Sequence, residues 1–161
     1  MNVAGYVKLA KLWERNREDA MQLQRHYYED LVKDFPDFQL VDVYVDITGN
    51  KEIRKRPEMI RLLGDCIAGK VDLIYSQTRA YLAANTRELC YLFKFLFDLD
   101  HRIDFVTEDG SYNINTIENE DNQRKELFNM AEKYCNLNPD DYGKWKEQIL
   151  KLIGERTDGN E

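Results

Sequence analysis

The chain has 161 residues, one domain's worth and enough for a single sizeable core. With 43% hydrophobic and 33% charged residues it reads as globular, and it has neither an apolar run of membrane-span length nor a signal-peptide core. A net charge of −7 argues against a free-standing DNA-binding domain, because phosphate contacts supply most of such a domain's affinity; any contact with nucleic acid has to come from a local patch or a partner protein.

Val3 to Leu9 reads as a first strand. A long helix is predicted over about Asn16 to Phe35, with Ala20, Leu23, Tyr27, Leu31 and Val32 on its inner face. Phe38 to Val45 (FQLVDVYV) alternates and then runs apolar, a second strand closed by Asp46 and followed by the basic loop ITGNKEIRKR. Arg56-Pro57 opens a helix, since proline suits a first turn, and Met59, Ile60, Leu62, Leu63, Cys66 and Ile67 form its buried side. After a Gly69-Lys70 turn, Val71 to Tyr75 is a buried strand, Ser76 to Ala84 a polar loop, and Asn85 or Thr86 the cap of a further apolar-faced helix. Arg102 to Thr107 is a fourth strand.

Beyond Gly110 the pattern changes. Ser111 to Asp121 reads as an Asn-rich loop, followed by helices over about Asp121 to Tyr134 and Pro139 to Ile153. The second has Asn138 as its cap and a predicted stop at Gly154, leaving a disordered tail from about residue 154. Strands alternating with helices predict a mostly parallel central sheet covered on both faces, with its working edge at the carboxyl ends of the strands. The expected organisation is a domain over 1–110, a helical extension packed on it over 111–161, and no separate DNA-binding domain.

Four motifs, in order, resemble the serine recombinases, the resolvase and invertase family with the large serine integrases. YVKLA at Tyr6 to Ala10 is similar to the family's Tyr-x-Arg-x-Ser strand end, and Gln24 matches a glutamine on its first helix. Val43 to Leu63 is similar to its Asp, Ser-Gly loop, Arg-Pro and Leu-Leu segment; Ala68 to Leu89 resembles its Gly-Lys-x-Asp strand and Asp-Arg-Leu-x-Arg loop. The resemblance covers roughly residues 3 to 110. It implies a resolvase-like three-layer α/β fold with added C-terminal helices, and a setting in DNA recombination or a mobile element.

The departures from the family pattern bear on chemistry. In the family a serine attacks the DNA phosphodiester while arginines stabilise the charge on phosphorus. The position matching that serine is Ala10, which has no oxygen; the first arginine is matched by Lys8, a point charge without the bidentate fork. In the loop the Asp-Arg pair aligns with Ala80 and Tyr81, and the next arginine with Ala84, while Gln24, Asp46 and Arg56 remain. One arginine that stabilises a phosphoryl-transfer transition state is worth about 10³–10⁵ in rate, so the resemblance implies a vestigial pocket that does not cleave. Ser76, Thr48, Thr78 and Tyr81 carry hydroxyls nearby but no evident general base, leaving a divergent nicking enzyme as the alternative.

The remaining features divide between sharp and bland readings. Lys51, Arg54, Lys55 and Arg56, with Lys70 near them, are the candidate DNA or phosphate contacts, against a merely solvated loop. A non-cleaving DNA-binding regulator built on them is the third functional reading. Phe93, Phe95 and Phe97 cannot all enter one core from one helix, so at least one is a candidate partner contact. Cys66, Cys90 and Cys135 read as buried free thiols of a reducing cytoplasm, and Asp98 to Asp104 as a charged turn. No cofactor and no metal are expected. The expected partners are further copies of the chain or a recombinase, with weak direct DNA contact and no membrane.

Overall fold

A computed structural model of the chain describes residues 1–77, 82–109, 113–114 and 121–159, with the backbone alone for 113–114, 121–123 and 157–159. The strands are β1 (Asn2–Leu9), β2 (Gln39–Ile47), β3 (Leu73–Ser76), β4 (Asp104–Thr107) and β5 (Asn113–Ile114). The helices are α1 (Arg17–Val32), α2 (Pro57–Ile67), α3 (Thr86–Phe97), α4 (Asp121–Leu137) and α5 (Pro139–Gly159). The sheet order is β2-β1-β3-β4-β5; the first four are parallel, and β5 joins β4 antiparallel. β5 falls inside the segment that the sequence reads as loop; most of the rest of that segment lies outside the described residues.

Alternation along the strands splits the core in two. Ala4, Tyr6, Tyr44, Ile74 and Phe105 face α2 and α3 in the larger cluster, whereas Val7, Val43, Val45 and Tyr75 face α1. α1 therefore covers one face, and its contact stripe runs through Ala20, Met21, Tyr27, Tyr28 and Leu31. Leu23, predicted on that stripe, is 61% exposed, because the helix is turned to lay the Tyr28 ring flat on β1. Gly5 makes this possible: a Cβ there would lie 2.8 Å from the Tyr28 ring.

α2 is fixed at both ends. At its carboxyl end Gly69 takes φ +75, and the bonds Lys70 N–H to Asp65 O and Gly69 N–H to Cys66 O complete a Schellman turn. At its amino end Arg56 supplies no side-chain cap, and that task falls to a strand residue described below.

The helices after β4 close over α3. Phe93 and Phe95 are buried in the larger cluster and Phe97 packs against it, which corrects the expectation that the three cannot all enter one core: Phe97 stacks on Phe93, meets Phe128 of α4 and carries the Arg124 guanidinium 4.6 Å from its ring centroid. The chain's own α4 thus covers the outermost of the three rings. α5 does not stop at Gly154 but runs to Gly159, which corrects the predicted disordered tail over its first residues. A glycine inside a helix costs only about 1 kcal/mol. Contacts on both sides outweigh it: Ile153 lies against Gly64, and Arg156 reaches Glu58 at 3.4 Å. Among the described residues no helix is long and apolar enough to cross a membrane.

Candidate functional site

β1 lies between β2 and β3, so the side chains at its carboxyl end meet those of both neighbours. Lys8 is in register with Asp46 of β2, and Tyr6 with Ser76 of β3. Asp46 is 3% exposed, and its carboxylate accepts three hydrogen bonds. Oδ1 takes the Glu58 N–H at 2.9 Å; Oδ2 takes the Met59 N–H at 2.9 Å and the Tyr6 hydroxyl at 2.8 Å. Glu58 and Met59 are the second and third residues of α2, whose N–H groups have no partner within the helix. Asp46 is therefore the cap of α2, supplied from the neighbouring strand, and its charge suits the positive end of the helix dipole.

Arg56 completes the arrangement from the residue before α2. Its Nη1 donates to Tyr6 Oη at 2.9 Å and its Nη2 to the Leu82 carbonyl at 2.7 Å. It is wholly buried, which corrects its place among the candidate DNA or phosphate contacts: the guanidinium joins Leu82 to β1. Burial pushes the Tyr6 phenol well above its ordinary value; Arg56 opposes this and Asp46 adds to it. Tyr6 stays protonated and bridges the cation to the carboxylate.

The other predicted residues fall around this group. Lys8 is half-buried at the edge, and its ammonium is pushed below the ordinary lysine value by burial and then by the nearby charges of Arg56 and Lys51. Lys8, Arg56 and Lys51 therefore lie close enough to feel one another's charge, with Asp46 acting in the opposite sense. Lys51, Arg54 and Lys55 are exposed on the loop before α2; Arg54 donates to Glu52 Oε2, and Lys55 lies 3.8 Å from Glu52 Oε1. Ala10 is exposed just past β1 and presents only a methyl group. Gln24 sits on the α1 side of the same edge, accepting from Gln77 Nε2 at 3.3 Å. Ala84 is half-buried and spends its N–H on Glu88 Oε1. Tyr81, with Thr78, lies outside the described residues. Lys70 is placed apart: it precedes β3, at the sheet's opposite edge, 3.8 Å from Asp65.

The fold, a parallel sheet covered by helices on both faces, has structural relatives. The N-terminal catalytic domain of TP901-1 integrase superposes with a TM-score of 0.59 at 21% identity, over 86% of this chain and 99% of that one. The chain has a serine-recombinase catalytic-domain fold. The C-terminal catalytic domain of ISC1926 TnpA, an IS607-like serine recombinase, matches at a TM-score of 0.50 and 16% identity, over 96% of this chain and 99% of that one. A third structure, the first open reading frame of transposon ISC1904 from Sulfolobus solfataricus P2, gives 0.48 at 19% identity over 94% of this chain and 99% of that one. No protein-family model matches the sequence, and no curated protein is significantly similar to it.

Sequence reasoning missed one residue that supports this edge. Glu88, 9% exposed, accepts from the Ile53 and Ala84 N–H groups at 3.1 and 3.0 Å through Oε1, and from Trp145 Nε1 at 3.0 Å through Oε2. Its local signal was present: Asn85 caps α3 by accepting the Glu88 N–H, and a carboxylate three residues after the cap is the pattern of a capping box. The partnership with Trp145 joins residues 57 apart and has no local signature.

Proposed function

We propose that this chain is a non-cleaving serine-recombinase-type domain of a recombination or transposition system, acting by association with a recombinase or with its own copies. Ala10 carries the reading. At the end of β1, beside Lys8 and Asp46, where the resemblance puts an attacking serine, there is a methyl group. The groups that persist there, Asp46, Tyr6 and Arg56, are engaged in seating α2 and the loop after β3. TP901-1 integrase and ISC1926 TnpA support the setting by likeness of fold.

The test is incubation with supercoiled plasmid, scored for nicked or relaxed circles and for a denaturant-stable protein–DNA adduct. The expected result is neither. Nicking that disappears on Thr78→Ala or Tyr81→Phe would overturn the reading in favour of a substituted nucleophile.

A second reading is favoured by the closeness of the Lys8 and Lys51 charges: the same edge holds duplex DNA without cutting it. Anisotropy of labelled duplex should then show binding that weakens steeply with salt and further when Lys51, Arg54 and Lys55 become alanine. Absence of binding at low salt would leave protein association alone.

A further inference from the structure

The loops that rim this edge are tied to the rest of the fold at a few residues. The loop before α2 is pinned where Ile53, wholly buried, sends its N–H to Glu88. The loop after β3 is pinned where Ala84 sends its N–H to the same oxygen and where the Leu82 carbonyl meets Arg56. Ile53 and Ala84, from two different loops, therefore share one carboxylate oxygen. The other oxygen of that carboxylate belongs to α5, through the Trp145 indole. Trp145 is in turn packed among Tyr91, Phe95 and Tyr142, and α5 is held to α2 by Arg156 and Ile153.

We propose that seating of α5 sets the positions of Ile53 before α2 and of Leu82 to Ala84 after β3 through the Trp145–Glu88–Ile53/Ala84 hydrogen bonds, making α5 a regulatory strap for the edge. With α5 seated, the carboxylate is oriented by three N–H donors from three segments. With α5 lifted, Glu88 opens to water, and the two loops lose their shared acceptor. Hydrogen bonds to an ionised, buried acceptor are strong and mutually reinforcing, so removing one donor loosens the others. The coupling is reciprocal: whatever fixes the rim loops also favours the seated helix. The regulatory meaning rests on the association reading above; the coupling itself does not.

The experiment is amide hydrogen exchange on the full chain, comparing wild type with Trp145→Phe, which keeps an aromatic ring but removes the donor, and with Glu88→Gln, which keeps shape but removes charge. Loss of a hydrogen bond to a charged group predicts exchange faster by about 10- to 100-fold at Ile53 and Ala84. The amides of Tyr6 and Val7 in β1 serve as the control and should not change. Equal acceleration at all four amides, or none at Ile53 and Ala84 in either variant, would overturn the proposal. Duplex binding is measured in parallel. Selective acceleration without any DNA binding supports the strap and removes the DNA reading; DNA binding with unaltered exchange does the reverse.

Discussion

Replacing Asp46 by alanine tests whether the carboxyl edge of β1 and β2 is a structural joint. The substitution removes the acceptor for the Glu58 and Met59 N–H groups and for the Tyr6 hydroxyl at one stroke. The Glu58 amide is half-buried, so water can replace the carboxylate there, but the Met59 and Tyr6 donors are buried. Each buried donor left unpaired costs about 1–3 kcal/mol, and a lost helix cap about 1 kcal/mol. The buried Arg56 also loses the anion that Tyr6 relays to it. Together these predict a loss of about 3–5 kcal/mol, against about 5–15 kcal/mol for a whole domain. Urea unfolding followed by far-ultraviolet circular dichroism measures it, with an unchanged slope showing that the unfolded state is comparable. A double-mutant cycle with Tyr6→Phe should give strong coupling, the second change costing little once the first is made. A loss under about 1 kcal/mol for Asp46→Ala would refute the cap.

Gly5→Ala should destabilise by about 1–3 kcal/mol through collision with the buried Tyr28 ring, checked in the same unfolding assay; an unaffected midpoint would mean that the ring moves freely. Cys66, Cys90 and Cys135 are all buried, and burial raises each thiol, that of Cys135 to about 11. A thiol-specific reagent should therefore find none in the native protein and all three in denaturant. Alkaline titration has a defined sign. Burial raises the Tyr6, Tyr28, Tyr44 and Cys66 values, so above the ordinary 10.0 and 9.0 the unfolded chain binds fewer protons than the folded one, and stability falls. Lys8, shifted down, acts in the opposite direction as pH approaches its ordinary 10.5, but the tyrosines and cysteines shifted up outnumber it. Urea midpoints should drop from about pH 9 upward, less steeply in Tyr6→Phe. A flat profile would contradict the burial of these groups.

The strands and the long helices were legible because their signals are local. Alternation in Gln39–Ile47 and the Arg56-Pro57 helix start need no knowledge of the rest of the chain. What failed was decided by distant contacts. Arg56 reads as one more cation of a basic loop until Tyr6 and the Leu82 carbonyl, 50 and 26 residues away, close around it. Gly154 is a sound stop signal overridden by α2, and Phe97 is surplus to its own helix until α4 covers it. Lys70 was grouped with the basic loop by sequence proximity, whereas a strand's length separates the two edges of a sheet.

The Asp46–Tyr6–Arg56 group has a consequence for how such chains are recognised. These residues hold α2 and the loop after β3 in place, so a lineage that stopped cutting DNA would still be penalised for losing them. Ala10 carries no such burden: nothing in the fold leans on a hydroxyl there. On the proposed reading, substitution at this edge should thus be lopsided, sparing residues that double as joints and erasing those that would only perform chemistry. A search pattern built on the joints scores ancestry of shape; only the positions free to decay report on activity.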